Sequence, residues 1–285
     1  MKINIKPKNV ISCIMTIVDI EETKNPFDVA LKPIKEKMDK FIPDIKNKNI
    51  PSLNGMIVAM VGAGGSGKTS LMLNMFIDNN CYKGKFHNIF YICPEGSFLS
   101  VVKHPFQNHN KVFHVLTVEL LEEIFETLKA LKNKSCNNEK KVKTKGVFAD
   151  IEDNSEDEED KYISYNCVII DDFADALKDP GIEAQLSKML VKSRHYCCSY
   201  VFTLQSYLYF PKTLRKQITN LILFQPNNEE EWQSVVKELI KMKPEDERIL
   251  HEYCFNKEYN HFHINKRTNE YYKNFNKLNL VKKTT

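Results

Sequence analysis

The chain has little that would cross-link it. Its eight cysteines, Cys13, Cys81, Cys93, Cys136, Cys167, Cys197, Cys198 and Cys254, form no CxxC pair, and several sit inside apolar runs. That pattern argues against a disulfide framework and for buried thiols in a reducing compartment. His251, Cys254, His261 and His263 fall close together but match no closed zinc spacing. The HFHI stretch reads instead as one strand of a hairpin, with both histidines on the same face. Long hydrophobic runs are absent too: none approaches the ~20 residues of a membrane span. The longest early run, 10–18, holds Ser12 and Thr16 and has no small-residue cleavage site behind it. It is expected to be a strand or short buried segment, not a signal peptide. Charge of one sign is also scarce, with 41 Lys and Arg against 37 Asp and Glu leaving +4. With no zinc finger, basic zipper or RNP motif, composition alone carries no strong nucleic-acid footprint.

What charge there is comes in blocks. Residues 132–145 hold six lysines and one glutamate, and residues 150–160 hold eight acidic residues and no basic one. Such blocks repel themselves and pack poorly, so 132–161 is expected to be a mobile surface insertion. Residues 1–52, with Pro7, Pro26, Pro33, Pro43 and Pro51 among many lysines, read as an irregular N-terminal arm. After Pro51 apolar runs alternate with helical segments, the signature of an α/β fold with a doubly wound, mainly parallel sheet. Candidate strands are 56–61, 88–93, 112–116, 167–170, 200–204 and 221–224, several apolar without alternation, as strands covered on both faces are. Candidate helices start near Thr69, Val118, Ile182 and Glu229; in the third, Ile182, Leu186, Met189 and Leu190 form one stripe at helical spacing. The stretch HFHINKRTNEYY suggests a strand, a turn and a strand. The expected organisation is therefore the arm, an α/β domain over 53–257, and a short C-terminal β extension with a basic tail over 258–285.

One motif carries chemistry. Gly62, Ala63, Gly64, Gly65, Ser66, Gly67, Lys68 and Thr69 satisfy GxxxxGK[ST], with a strand before and a helix after. Glycines at 62, 64, 65 and 67 let backbone N–H groups turn inward around a phosphate, and the helix opening at Lys68 and running through Ser70 aims its positive end at the same oxygens. Lys68 is expected to bridge the β- and γ-phosphates of ATP and the Thr69 hydroxyl to ligate Mg²⁺. A P-loop needs a second strand with a carboxylate, and YNCVIIDDFAD supplies it: Asp171 for the metal, Asp172 pointing elsewhere to polarise the attacking water. A right-handed crossover of about thirty residues would then bring the strand YVFTLQS beside it and set Gln205 near the γ-phosphate.

The ordered set GAGGSGKT, VIIDD, a helix ending SRHY, TLQS and then FPKTLRKQITNLILF resembles the genome-packaging ATPases of nucleocytoplasmic large DNA viruses. These are the poxvirus A32-like group within the FtsK/HerA superfamily, and the resemblance spans roughly 53–226. It implies a RecA-like P-loop NTPase fold and a Mg²⁺-dependent ATPase that drives double-stranded DNA into a capsid. It implies a ring homo-oligomer, pentamer or hexamer, a capsid or portal component as docking partner, and work in the host cytoplasm or virion. It also implies a sensor role for Gln205 and an arginine reaching the neighbouring subunit's γ-phosphate, for which Arg194 and Arg215 are both candidates. Many members of the wider FtsK/HerA superfamily carry glutamate after the metal-binding aspartate; here Asp172 is one methylene shorter, which the viral branch it resembles tolerates. Lysines in the 132–145 block, with Lys212, Arg215 and Lys216, are candidates for DNA phosphates. Two other readings stand beside this one. A nucleotide or nucleoside kinase would show an arginine-rich lid, and a non-catalytic ATP-binding virion scaffold would not need the full catalytic set. A GTPase would carry an NKxD segment, which is missing.

Overall fold

A computed structural model describes residues 42–140, 164–240 and 242–280, with side chains up to 133 in the first segment. The 10–18 run, most of the expected N-terminal arm and residues 141–163 of the expected insertion lie outside the described residues.

Nine strands form one sheet in the order β3-β2-β4-β5-β1-β6-β7-β8-β9. The first six run parallel: β1 (Ile57–Val61), β2 (Asn88–Ile92), β3 (Val112–Phe113), β4 (Asn166–Asp171), β5 (Cys198–Leu204) and β6 (Asn220–Phe224). The last three, β7 (His261–Asn265), β8 (Glu270–Lys273) and β9 (Asn276–Leu278), are antiparallel and extend the same sheet from β6, with Asn220 opposite Asn265. All residues of β1, β4, β5 and β6 are buried, which is why their sequences lack alternation. Along β1, Ile57, Ala59 and Val61 enter the core on one face while Val58 and Met60 enter the core on the other.

The helices cover the faces unequally. α1 (Lys68–Ile77) buries Met72, Leu73, Met75 and Phe76 on one side, joined by Phe98 of the short α2 (Glu95–Leu99). The opposite side takes α3 (Val118–Lys140), α4 (Pro180–Val191), α5 (Lys212–Gln217), α6 (Glu229–Val235), continued by a π-turn over Val236–Ile240, and α7 (Pro244–Cys254). The stripe foreseen for α4 is buried in full: Ile182, Leu186, Met189 and Leu190, each worth about 1.5–3 kcal/mol of burial. Asp179 caps this helix, its carboxylate accepting from the Gly181 and Ile182 amides at 2.9 and 3.0 Å, with Pro180 at the first helical position.

Several elements differ from the sequence reading. α3 runs on to Lys140, so the first residues of the expected insertion are helical. β3 stops at Phe113 because it is an edge strand, with His114 Nδ1 already turned to the Cys93 carbonyl at 3.0 Å. α2, α5, α7 and β9 were not foreseen; three of them are six residues or fewer and hold too little periodicity to read. The C-terminal hairpin forms as expected in β7 and β8. Phe262 and Cys254 join one core, while His261 and His263 face Phe275 on the other side of the sheet. The His/Cys group is thereby split, and among the described residues no three metal-capable side chains cluster. The six described cysteines are free thiols, buried except Cys81.

Candidate nucleotide site

Sheet order decides the site. Because β5 inserts between β4 and β1, the carboxyl ends of all three lie side by side, where open α/β sheets hold ligands. The glycine-rich loop leaves β1 at Gly62, whose amide donates to the Leu204 carbonyl at 3.1 Å and ties the loop to the end of β5. A Cβ at Gly62 would lie 2.7 Å from that of Phe224, so only glycine fits between loop and β6. Gly67 takes a left-handed φ of 97° to turn the chain into α1. Gly64 has neither a positive φ nor a crowded Cβ direction, so its backbone freedom is not what this conformation uses. α1 starts with no side-chain cap and no acidic residue in its first turn, leaving its N–H groups directed at whatever the loop encloses. The Ser66 hydroxyl is buried without a partner among the described residues.

Lys68 is buried, and its Nζ donates to the Gly62 and Ala63 carbonyls at 2.6 and 2.8 Å. Burial lowers its pKa, opposed by the negative charges of Asp172 and Asp171. Thr69 Oγ1 donates to Asp171 Oδ1 at 3.3 Å, bringing hydroxyl and carboxylate together. Asp171, 2% exposed at the end of β4, also accepts from Tyr91 OH at 2.6 Å and from Thr203 Oγ1. Burial and the adjacent carboxylate push the Tyr91 phenol far up, so it stays a donor. His104 Nδ1 accepts from the Phe106 amide at 3.1 Å, which leaves Nε2–H to donate to Tyr91 OH at 3.3 Å. A chain His104–Tyr91–Asp171 results.

Asp172 turns away from Asp171 through a left-handed φ of 62°, which aspartate tolerates better than most residues. Its amide donates to Thr203 Oγ1 at 3.1 Å, and its carboxylate accepts from Ser97 Oγ at 3.2 Å and from Gln205 Nε2 at 3.0 Å. Gln205 is held from behind: Asn227 Nδ2 donates to its carbonyl at 2.8 Å, and Asn227 in turn leans on Glu231. Lys68, Thr69, Asp171, Asp172 and Gln205 thus converge from three strand ends. The arrangement can cradle a phosphate group, set two hard oxygen ligands beside it and hold a carboxylate free of the first.

The arginines are elsewhere. Arg194 precedes β5, and its Nε donates to Asn54 Oδ1 at 3.1 Å, a strand length (about 17 Å) from the loop. Arg215 is 5% exposed, pairs with Glu238 at 2.9 Å and stacks over Tyr207 at 4.8 Å. Neither a reach toward another subunit nor a DNA phosphate contact suits a guanidinium so engaged, whereas Lys212 and Lys216 beside it are exposed. Tyr91, Ser97, Thr203, Asn227 and Glu231 were not foreseen. Only Thr203, a hydroxyl inside an apolar strand, left a trace in the sequence.

The family model described as Poxvirus A32 protein matches residues 47–261, three quarters of the chain. The chain belongs to this family. It is the genome-packaging ATPase group that the motifs resemble, and the match runs from just before β1 to the first residue of β7. No curated protein matches. Among solved structures, the DNA-packaging ATPase B204 of Sulfolobus turreted icosahedral virus is 17% identical, covering 77% of this chain and 96% of that one, with a TM-score of 0.45. B204 of Sulfolobus turreted icosahedral virus 2, in complex with ATP-gammaS, is 15% identical over 77% and 97%, with a TM-score of 0.46. EssC (ATPases 2 and 3) from Geobacillus thermodenitrificans is 14% identical over 68% of this A32-family chain and 36% of its own, with a TM-score of 0.48.

Proposed function

We propose that this protein hydrolyses ATP with Mg²⁺ and couples loss of the γ-phosphate to movement of double-stranded DNA into a capsid. The convergence of Lys68, Thr69, Asp171, Asp172 and Gln205 at three adjoining strand ends, in a member of the A32 family, carries this reading. Backbone N–H groups of residues 62–70 and the Lys68 ammonium hold the triphosphate. Thr69 and Asp171 present the hydroxyl and carboxylate oxygens that suit Mg²⁺; bound there, it offsets charge on the phosphate oxygens. Asp172, oriented by Gln205, takes the proton of the water whose oxygen bonds to the γ-phosphorus as the β–γ bridging bond breaks. Gln205, touching both Asp172 and the loop that leads to Asn227, senses the γ-phosphate.

Packaging motors of this kind work as rings, here a homo-pentamer or hexamer docked on a capsid or portal component, in the infected cell's cytoplasm or in the virion. Among the described residues no helix is long and apolar enough to cross a membrane. Arg194, near the surface, is the better candidate for an arginine acting in trans; Arg215 is held in its ion pair. DNA contact through exposed lysines such as Lys212 and Lys216 would be independent of sequence and weakened by salt.

Steady-state ATP hydrolysis with and without long double-stranded DNA, at two salt concentrations, tests the proposal. DNA should stimulate turnover, less so at high salt. Lys68→Ala should abolish hydrolysis, and Asp172→Asn should bind ATP while losing about 10²–10⁴ in rate. Full activity in either variant would sink the site assignment, and indifference to DNA would sink the motor. Mixing Arg194→Ala with Asp172→Asn subunits should restore part of the turnover if Arg194 acts across the interface; no rescue at any ratio removes it from that role.

A further inference from the structure

Asp172 stands between the two strands that flank β4. In the sheet order β2-β4-β5, the ends of β2 and β5 lie on either side of it. From the β5 side Gln205 Nε2 donates to its Oδ1 at 3.0 Å; from the β2 side Ser97 Oγ, on α2, donates to its Oδ2 at 3.2 Å. A carboxylate only accepts, so the serine hydroxyl is the donor. Serine in a helix commonly returns its hydroxyl to nearby backbone. This one is turned instead to a side chain 75 residues along the chain.

The helix that carries Ser97 is itself fixed. The Phe98 amide donates to the Pro94 carbonyl at 2.9 Å, and Ser100 Oγ donates to the Ser97 carbonyl at 2.7 Å. The Phe98 ring lies 4.2 Å from the His104 ring and 6.1 Å from that of Tyr91, centre to centre. His104 and Tyr91 are the two residues that hold Asp171. One aromatic cluster therefore places Ser97 against Asp172 and Tyr91 against Asp171.

We infer that Ser97 is a second positioning residue for hydrolysis, fixing with Gln205 the plane of the Asp172 carboxylate; the role rests on Asp172 being the base, as proposed above. The last side-chain torsion of an aspartate is broad, so a single donor leaves the group free to swing. A donor on each oxygen stops that rotation, and each oxygen keeps a further lone pair for the proton of a water. The precision matters because a reacting group displaced by about 1 Å can cost about 10²-fold in rate. The backbone of Asp172 adds to the constraint, with its left-handed φ of 62° and its amide held by Thr203.

Steady-state ATP hydrolysis and calorimetric titration with ATPγS, both on the full chain, test this. Ser97→Ala should lower kcat about tenfold to a hundredfold, the range that loss of one hydrogen bond to a charged group allows, and leave ATPγS affinity unchanged. Ser97→Thr should keep most of the rate, whereas Ser97→Val, of the same shape without the hydroxyl, should not. Alanine is the better helix former, and an unaltered urea midpoint checks that Ser97→Ala folds. In an Asp172→Asn background Ser97→Ala should lower kcat no further, because groups that act as one unit do not add. Wild-type turnover in Ser97→Val, an equal loss of ATPγS affinity, or losses that multiply in the double variant would each overturn the role. Full turnover in Asp172→Asn alone would mean that the base assignment has failed, and the role of Ser97 with it.

Discussion

Replacing Glu231 by glutamine swaps one oxygen for one nitrogen at almost no change in volume, yet the surroundings make it costly. Glu231 is 0% exposed, and its Oε1 accepts from the Tyr207 amide at 2.5 Å while its Oε2 accepts from the Asn227 amide at 2.7 Å and from Asn227 Nδ2 at 3.2 Å. The negative charge also sits in the first turn of α6, where the helix dipole favours it. A glutamine keeps one acceptor and turns an NH₂ donor toward the other set of N–H groups. One buried amide is then orphaned, at about 1–3 kcal/mol, and the surviving hydrogen bond loses its charge assistance, about 1 kcal/mol more. The expected total is about 3 kcal/mol, or a melting temperature lowered by about 6–12 °C for a domain of this size. Because Asn227 also holds the Gln205 carbonyl, turnover should fall more than ATP affinity does. Scanning calorimetry and urea unfolding measure the first effect, and parallel kcat and nucleotide Kd values the second. Glu230→Gln, exposed in the same turn, is the control and should stay within about 0.5 kcal/mol of wild type. A Glu231→Gln protein as stable as that control would refute the claim that this carboxylate braces the two loops.

Three further perturbations have expected outcomes. Burial lowers the pKa of His261 to about 4 and, together with the His261 charge, that of His263 to about 3. Unfolding therefore takes up protons once pH drops below the free value near 6.5, and stability should fall as pH drops from roughly 6 to 4.5, by at most about 3 kcal/mol per pH unit for the two groups. His263→Gln should halve that slope in urea titrations, and a flat profile from pH 7 to 5 would contradict the burial argument. Tyr91→Phe takes a 2.6 Å donor from the buried Asp171, so it should cost about 1.5–3 kcal/mol of stability and shift the Mg²⁺ concentration needed for half-maximal hydrolysis; an unaltered magnesium profile would leave Tyr91 a purely structural residue. Asp179→Ala removes the cap of α4, whose carboxylate accepts from the Gly181 and Ile182 amides, and should cost about 1 kcal/mol of stability in urea unfolding.

Sequence alone was enough for the phosphate loop, its partner strand and the longest periodic stripes. Four glycines and a Lys-Thr at fixed spacing, set between an apolar strand and a helix, can make little but a phosphate loop. An apolar run ending in Asp171-Asp172 reads as the partner strand, and a crossover of the right length was enough to bring Gln205 to them. The α4 stripe and the β7–β8 hairpin were legible for the same reason, since their periodicity lies within a dozen residues. What tertiary structure decided lies in contacts across the sheet order. Tyr91 reaches Asp171 only because β2 and β4 pair, eighty residues apart in the chain. Glu231 looked like one of three interchangeable acidic residues opening a helix, and only the return of that helix beneath the end of β5 makes it the buried one. Arg215 sits in a run of basic residues that reads as solvent-facing, but amphipathic packing of the six-residue α5 turns its side chain inward onto Tyr207 and Glu238. Nothing near Tyr259 in the sequence places its ring, and only the pairing of β7 with β6 carries it beside Gly67 of the phosphate loop. Residues that act through neighbours close in sequence are written in the pattern; those that act through neighbours supplied by strand pairing are visible only once the strands have paired.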